Sequence, residues 1–384
     1  PPPPPPPRDS IRRQRQMCIR DRRVSGRCDH PLDSILFLTV AAVIAGADGP
    51  ADIEEFGVEK HDWIAQFVDL PAGVPSHDTI GRVLSLIKPE QFQTALLQWI
   101  NSLRAEHADK GGPVLVQIDG KTARGSYTNR EKSNALHIVS AWASQHGLTL
   151  GQVAVDCKSN EITAIPNLLD MMDLKGTVVT IDAMGCQKSI AKKIVEQGGD
   201  YTFAVKDNHP KLCEALEDAF EAAYENGFAN YRIRSKTTKK KQAGRAEERY
   251  YAVGPIPDSM KSLAGEWPHA KSIGQAITIS TTDGEETSEV RYYISSREAR
   301  VNEFADSIRS HWSIESMHWI LDVVFHEDAS RIRTGNATEN MSFVRRFVTT
   351  LLKQDTTKVS LKQKRKKAGW NTVFLEKLLF GYTF

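Results

Sequence analysis

The apolar positions of the first hundred residues follow a helical spacing. Those from Ile80 to Ile87 fit the i, i+3, i+4, i+7 rule of an amphipathic helix, and Asp78 is a suitable N-cap for it. Pro89 suits the first turn of the helix that follows. We therefore predict a small all-α N-terminal domain over residues 23–110.

After residue 110, short runs of β-branched and apolar residues replace the helical spacing. These runs predict strands at 114–118, 137–142, 148–157, 177–181 and 201–205, with helices between them at 162–172 and 188–197. Strands that alternate with helices are typical of an α/β sheet. The predicted fold class is therefore α/β for the larger part of the chain.

Residues 228–298 differ from both neighbouring regions. Polar and apolar residues alternate there as in β-hairpins, and Asp283-Gly284 is a strong hairpin turn signal. Helical spacing returns over residues 302–325 and 339–352. This pattern predicts a β-rich insertion within a second domain that covers residues 111–384.

The composition is typical of a globular protein, since 40% of the 384 residues are hydrophobic and 26% are charged. The longest apolar run, residues 35–47, is shorter than the roughly 20 residues that span a bilayer, so we expect no membrane association. The five cysteines have no CxxC spacing, which favours neither disulfides nor a thiolate zinc site and suits a reducing cytoplasm.

The first residues differ in character from the rest of the chain. Seven prolines precede the segment RRQRQMCIRD (Arg12–Asp21), which resembles the conceptual translation of a sequencing adaptor. We interpret residues 1–22 as an adaptor-derived artefact, or else as a disordered tail. They carry six Arg and two Asp, so the net charge of +2 becomes −2 without them. Any DNA binding therefore has to come from local basic patches.

Two aspartates follow predicted buried strands. Asp119 comes directly after VLVQI, and Asp182 comes directly after TVVTI. Ligands gather at the carboxyl ends of strands in open α/β sheets, and two carboxylates brought together there favour a hard cation such as Mg²⁺ or Mn²⁺. Either aspartate alone could equally be a turn former or a helix cap.

A third acidic residue, Glu315, lies in the segment HWSIESMHWILD. If this segment is helical, the residues that share a face with Glu315 are His311, His318, Trp319 and Asp322. A surface helix whose tryptophans pack inward would produce a similar pattern. The two histidines and Glu315 could also form a zinc site, although the HExxH motif is absent.

Several motifs, in this order, together resemble one known family: QIDGKTARGS, KSNEITAIPNLL, TIDAMGCQK, FAVKDNH and HWSIESMHWILDVVFHEDASRIR. The N-terminal stretch that begins GRCDHPLDS resembles the helical domain associated with that family. From about Arg23 to its end, the chain is similar to the insertion-sequence transposases of the ISAs-one type. These are also called H-repeat-associated proteins and are related to the IS-four group.

The resemblance implies a ribonuclease-H-like catalytic core with a β-rich insertion before the last acidic residue. It implies that Asp119, Asp182 and Glu315 are the DDE triad and hold two Mg²⁺ ions, with Mn²⁺ as a substitute. The reaction implied is cleavage of double-stranded DNA at the element ends, followed by strand transfer into target DNA. The resemblance also implies a homodimer or larger assembly on DNA, acting at the bacterial nucleoid.

The chain departs from the Tyr-Arg-Glu-Lys signature of the wider transposase group. The Tyr, Arg and Lys positions are occupied by Ile308, His311 and Asp322. The cation that steadies the phosphate is therefore open, and the candidates are Arg309, Arg331, Arg333 and a protonated His318. Asp322 could be a fourth metal ligand or a base next to the metal ligands.

Local basic residues supply the predicted DNA contacts. Besides His311, these are Lys121, Arg124, Lys239, Lys240, Lys241, Arg331 and Arg333. The three consecutive lysines belong to KTTKKKQAGR at a predicted hairpin tip, and KQKRKK over residues 362–367 is a second basic stretch. Either stretch could equally be a solvated surface or a flexible tail.

Two other functions are compatible with the same residues. One is a ribonuclease-H-like nuclease that cuts DNA without strand transfer, and the other is a catalytically decayed remnant that only binds DNA. A metabolic α/β enzyme would need a glycine-rich phosphate loop, and the sequence contains neither GxGxxG nor GxxxxGKS.

Overall fold

The structure is a computed structural model that describes residues 29–105, 113–127, 135–155, 160–226, 232–242, 245–282 and 284–381. Side chains are not described at 99–105, 242 and 245. The interpretation of residues 1–22 therefore lies outside the described residues.

The first described part is helical because its apolar residues have helical spacing and two of its prolines lie where helices begin. Its helices are α1 (Leu32–Ala45), α2 (Pro50–Glu59), α3 (His61–Ile64), α4 (His77–Leu86) and α5 (Pro89–Ala105). Pro50 and Pro89 occupy first turns, where the missing N–H has no helical partner to lose. The predicted cap of α4 is wrong, because Ser76 rather than Asp78 accepts the hydrogen bond from the Thr79 backbone N–H.

Within the described residues, nine strands form one mixed sheet. They are β1 (Val114–Thr122), β2 (His137–Ala143), β3 (Leu148–Val155), β4 (Thr177–Ile181), β5 (Asp200–Val205), β6 (Arg234–Gln242), β7 (Arg245–Pro255), β8 (Ser272–Thr282) and β9 (Glu285–Ser295). The strand order is β3-β2-β1-β4-β5-β9-β8-β7-β6. Strands β1, β4 and β5 are parallel, and the other neighbouring pairs are antiparallel. The mixed α/β class is as predicted.

Two helices make the parallel centre of the sheet possible. Helix α6 (Glu161–Asp170) connects β3 to β4, and α7 (Lys188–Glu196) connects β4 to β5. Parallel neighbours need such crossovers because a tight turn can only join antiparallel strands. Strand β4 is buried at every position, as expected for a strand covered on both faces. Each element predicted in this region is present, with shifts only at its ends.

Strands β6 to β9 form the predicted β-rich segment, and they extend the central sheet. β9 pairs with β5 from Thr202↔Ser295 to Val205↔Tyr292. The residues of β9 that precede Tyr292 therefore lie beside the carboxyl end of β5. Helix α8 (Pro210–Glu225), which was not predicted, precedes this segment, and α9 (Lys261–Ala264) lies between β7 and β8.

The chain ends in five helices within its described part. They are α10 (Val301–His311), α11 (Ser313–Val323), α12 (Ala337–Gln354), α13 (Leu361–Trp370) and α14 (Thr372–Phe380). The continuous helix predicted over residues 302–325 is wrong, because Trp312 separates α10 from α11. His311 and Glu315 consequently belong to different helices.

Helix α12 is buried along most of its length and joins the two ends of the chain. The Asn340 side-chain amide donates to the carbonyls of Leu84 and Ile87 at 2.8 and 3.0 Å. The Trp63 indole N–H donates to Glu376 at 2.7 Å. One hydrophobic core thus runs from α1 to α14, and the proposed domain boundaries stay predictions.

No single helix in the described ranges is long and apolar enough to cross a membrane. Helices α1 and α2 satisfy that length and composition test only together, as a pair bent by 93°.

Candidate active site

Asp119 and Asp182 lie side by side where β1 and β4 stop pairing. The parallel register ends at Ile118↔Ile181, and each aspartate is the next residue. Equivalent positions on neighbouring strands share a face of the sheet, so the two carboxylates are directed to the same side. The prediction that Asp119 follows its strand is wrong in detail, because β1 continues through it and pairs Asp119 with Ser140.

Burial and repulsion set the electrostatics of the two aspartates. Burial raises the pKa of Asp119 to about 7, although the Gly120 N–H that donates to its Oδ1 at 2.9 Å acts in the opposite direction. The negative charge of Asp182 raises the pKa of Asp119 further. Burial also raises the pKa of Asp182, whose Oδ1 accepts the Gly185 N–H at 3.1 Å. A cation beside both carboxylates would relieve this repulsion.

Glu315 reaches the same place from the C-terminal helices. It lies exposed in the first turn of α11, which packs against β1. Its negative charge is one of those that raise the pKa of Asp119. The structure therefore brings the three acidic residues predicted as a triad into one site.

The chemistry of these side chains fits divalent cations. Every donor is a carboxylate oxygen, which Mg²⁺ and Mn²⁺ prefer. Burial first, and then the neighbouring carboxylates, raise the pKa of Asp119, and a bound cation would counter both effects. Across the described ranges, no three His, Cys, Asp or Glu side chains are arranged to hold a metal ion. Asp119, Asp182 and Glu315 stay the predicted ligands of such ions.

A fourth carboxylate, missed in the sequence analysis, lies beside the aspartates. Glu161 begins α6, and its charge raises the pKa of both Asp119 and Asp182. Its Oε1 lies 2.6 Å from Nε2 of His137. Gly120 makes room for this pair, because a Cβ at position 120 would lie 2.6 Å from Glu161 Cδ and would overlap the His137 ring nitrogen.

The ammonium of Lys121 is buried among carboxylates. Its Nζ lies 2.7 Å from Asp322 Oδ1, 2.9 Å from Asp328 Oδ1 and 3.5 Å from Glu327 Oε2. These ion pairs connect β1 to α11 and to the segment after it. Lys121 and Asp322 therefore hold each other in this structure. The phosphate contact predicted for Lys121 and the metal-site role predicted for Asp322 stay predictions.

Glu327 lies at the centre of a buried network of charged side chains that includes Lys121 and Arg346. Its Oε1 accepts hydrogen bonds from Arg346 Nη1 at 3.0 Å and Ser342 Oγ at 2.8 Å. The side chains of Glu327 and Arg346 are at most 1% exposed. Burial opposes ionisation of Glu327, but the charges of Arg346, Arg345 and Lys121 outweigh it and lower the pKa of Glu327 to about 2.

A cleft of about 280 Å³ opens next to Asp182, between the ends of β4 and β5, strand β9 and helix α10. Its ionisable lining residues are Asp182, Lys206, Arg291, Tyr293 and His311. His311 Nδ1 lies 3.1 Å from the Thr180 hydroxyl, and burial lowers the pKa of His311 to about 4. His311 is therefore neutral at neutral pH and brings no positive charge to its predicted DNA contact, which stays a prediction.

His318 lies next to Asp119 and does not line this cleft. Its Nδ1 is 3.7 Å from Asp119 Oδ2, and burial lowers the pKa of His318 to about 3. The protonated form considered as a phosphate ligand is consequently not the form that this environment favours at neutral pH.

The other predicted DNA contacts form two groups. The first comprises Arg124, Arg331 and Arg333, and the second comprises Lys239, Lys240 and Lys241. In the first group, Arg333 Nε donates to the Gly125 carbonyl at 3.2 Å and its guanidinium lies over the Tyr127 ring. The second group is exposed on β6, the edge strand of the sheet. DNA contact by either group stays a prediction.

The basic stretch over residues 362–367 is not a flexible tail, because it forms the middle of α13. Lys364 and Arg365 are buried. Lys364 Nζ pairs with Asp355 at 3.2 Å, and Arg365 Nε donates to the Val43 carbonyl at 3.2 Å. These two cations therefore hold α13 in place, which leaves only the other members of the stretch at the surface.

Comparison with known proteins places this site in context. Residues 110–351 match the family model described as "Transposase DDE domain", and residues 16–100 match the one described as "DDE_Tnp_1-associated". "Putative transposase YncI" of Escherichia coli O157:H7 is 43% identical over 94% of this chain and 92% of its own length. "H repeat-associated putative transposase YhhI" of Escherichia coli strain K12 is 41% identical over 94% of this chain and 96% of its own. The piggyBac transposase synaptic complex with hairpin DNA aligns with a TM-score of 0.39 at 10% identity, covering 97% of this chain and 78% of that one.

Proposed function

The chain belongs to the family of transposases with a DDE domain, and from this premise we propose that it cuts DNA at the ends of an insertion sequence and joins the cut strand to target DNA. The observation that carries the proposal is the meeting of Asp119, Asp182 and Glu315 at one edge of the sheet. We assign these three residues as the DDE triad.

The strand order supports a ribonuclease-H-like core for this enzyme. Three parallel strands, β1, β4 and β5, are continued on one side by the antiparallel strands β2 and β3. We propose that β6 to β9 are an insertion into this core. The helical region over 23–110 and the catalytic region over 111–384 are the domains we propose.

When bound by the triad, two Mg²⁺ or Mn²⁺ ions would activate the attacking water or 3′-hydroxyl and neutralise charge on the leaving oxygen. The chain itself positions the carboxylates for that task. Backbone N–H groups of Gly120 and Gly185 each donate to one oxygen of Asp119 and Asp182, which fixes the orientation of both carboxylates. Lys121 holds α11, which carries Glu315, against β1 through its ion pair with Asp322.

Hydrolysis without strand transfer would use the same triad, so the decisive test has to detect joining. The assay combines the full chain with a labelled duplex carrying the terminal inverted repeat and a supercoiled target plasmid, in Mg²⁺ or Mn²⁺. The proposal predicts cut ends and labelled plasmid. Cut ends without labelled plasmid would favour a nuclease, and DNA binding without cutting would favour a decayed remnant.

Matched variants connect that activity to the triad. Asp182→Asn keeps the shape of the side chain and should abolish both cutting and joining. Glu196→Gln changes an exposed acid on α7 that pairs with Lys192, and it should abolish neither reaction.

We also propose that the active form on DNA is at least a dimer, because transposition has to bring two element ends together. Mass photometry of the protein with one-end duplexes should show complexes with two chains and two duplexes. Complexes with one chain and one duplex only would contradict this.

A further inference from the structure

The cleft beside Asp182 has two cationic side chains on its wall, Arg291 from β9 and Lys206 from the end of β5. We propose that this cleft binds a phosphate group of the DNA strand, held by Arg291 and Lys206. The inference rests on the proposed function, since it names the part of the DNA that this side of the active site contacts.

Arg291 is held in a fixed orientation. Its Nε and Nη2 donate to the two carboxylate oxygens of Glu289 at 2.8 and 3.1 Å. Its guanidinium also lies 5.4 Å from the ring centroid of Trp312, the residue that separates α10 from α11. A guanidinium has five N–H donors in a planar fork, and the Glu289 pairing uses one edge of it. Tyr293 is a second hydrogen-bonding partner of Arg291, and the donors that these two contacts leave over suit the oxygens of a phosphate.

Lys206 approaches the same cleft from the neighbouring strand. It is the first residue after β5, which lies beside β4, and Asp182 is the first residue after β4. The side chain of Lys206 is exposed, and within the described part of the chain it forms no ion pair at 4 Å or less. Its positive charge acts to lower the pKa of Asp182. Lys206 is thus free to pair with an anion that enters between the two strand ends.

The two cations flank the acidic cluster on one side. Lys206 interacts electrostatically with Asp182, and Arg291 does so with Glu315. Another carboxylate, Glu161, lies close enough to raise the pKa of both Asp119 and Asp182. A phosphodiester that approaches Asp182 from the direction of β5 and β9 therefore meets positive charge from Lys206 and Arg291. Fixed cations at that place would stabilise the negative charge that develops during in-line attack.

Arg291 also supplies a positive charge beside His311, which is neutral. The position that carries Arg in the signature of the wider transposase group is His311 here, and His311 lines the same cleft as Arg291. Strand β9 of the β-rich segment thus brings an arginine into the cleft that His311 lines. The register that pairs Val205 with Tyr292 puts Arg291 next to Lys206 across the two strands.

The test measures DNA affinity without turnover, in Ca²⁺, as a function of salt concentration. The probe is a fluorescein-labelled duplex carrying the terminal inverted repeat, and the variants are Arg291→Gln and Lys206→Gln in the full chain. Each loss of a phosphate contact should lower the salt slope of log K by about 0.9. The affinity at fixed salt should fall roughly 10-fold. Arg291→Lys, which keeps the charge, should retain the slope.

The matched control is Lys271→Gln. Lys271 is a half-exposed lysine paired with Glu298 at 3.4 Å, and it lies where β8 begins, beside the start of β5 rather than its end. The control should keep the parental slope, and all variants should keep the parental thermal midpoint.

Three results would overturn the inference. Parental slopes in both Arg291→Gln and Lys206→Gln, with DNA cleavage intact in the parent, would exclude this cleft while leaving the proposed function standing. An equal loss in Lys271→Gln would show only a general charge effect. A parent protein that binds no DNA would remove the proposed function and this inference together.

Discussion

The charge network around Glu327 gives the sharpest prediction for stability. Glu327→Gln keeps the size of the side chain and one carbonyl oxygen, but removes the negative charge that faces Arg346 and Lys121. Both cations are buried, so water cannot solvate them in place of the lost carboxylate. The variant should therefore lose much more stability than a surface Glu→Gln change.

The magnitude follows from the pKa of Glu327, which falls from 4.5 to about 2 on folding. A difference of that size corresponds to about 3 kcal/mol of stability at pH 7. Breaking one partner of a buried ion pair costs about 3 to 5 kcal/mol in other proteins, which agrees. Because the folded pKa is the lower one, this stability is complete above the unfolded pKa and is lost as the pH falls toward the folded one. At pH 3 the contribution should be about 1 kcal/mol.

Urea unfolding followed by circular dichroism measures both quantities. At pH 7 the free energy of unfolding of Glu327→Gln should be about 3 kcal/mol below that of the parent. At pH 3 the gap should shrink to about 1 kcal/mol. Glu196→Gln, an exposed acid, should stay within about 0.5 kcal/mol of the parent. The reasoning would be refuted by a gap below about 1 kcal/mol at pH 7, or by a gap that does not shrink in acid.

Three more predictions concern the active site. Gly120→Ala should displace Glu161 and slow DNA cleavage roughly 10- to 100-fold, whereas Gly81→Ala, at an open helical position, should leave the cleavage rate unchanged. The affinity for Mn²⁺ should rise between pH 6 and pH 8, because Asp119 has a pKa of about 7 and has to lose its proton to bind a cation. Calorimetry in two buffers would count the released proton. An affinity that does not depend on pH would contradict the raised pKa of Asp119. Lys121→Met should loosen the contact of α11 with β1, and amide hydrogen exchange over residues 313–323 should become faster. Unchanged exchange would show that the ion pairs do not hold this helix.

The sequence was sufficient for the elements that frame the site because their signals are local. The run TVVTI predicts β4 with the bounds that the structure has, and the same rule places Asp182 at a strand end. The rule that strand ends gather ligands also applies to Lys206, which follows β5 in the motif FAVKDNH. That signal could have indicated Lys206 as a site residue, as the KSNEITAIPNLL motif could have indicated Glu161.

Burial of charged residues could not be predicted, because their partners are distant in sequence. Lys121 is held by carboxylates about 200 residues further along the chain, and Arg365 donates to carbonyls near the other end of the chain. A basic stretch therefore looks the same in sequence whether its members face solvent or neighbouring backbone. Arg291 was missed for a similar reason, since only the pairing of β9 with β5 brings it to the site.

The interruption of the helix at Trp312 could not be predicted from the spacing of apolar residues either. No proline or glycine marks it, and both helices continue the same apolar spacing. In the structure the Arg249 guanidinium lies 3.6 Å from the centroid of the Trp312 ring, a contact that depends on the β-rich segment. Packing of this kind decides where a helix ends when the local sequence does not.

The measurement that addresses the triad most directly is single-turnover cleavage of labelled element-end DNA in Mg²⁺ by the parent and by Asp119→Asn, Asp182→Asn and Glu315→Gln. DNA affinity and thermal midpoint are measured on the same preparations. Each variant should bind DNA as the parent does and cleave it roughly 1,000-fold more slowly or worse. Cleavage at the parental rate by any of the three would contradict the triad, and survival of Glu315→Gln would direct attention to Asp322 instead.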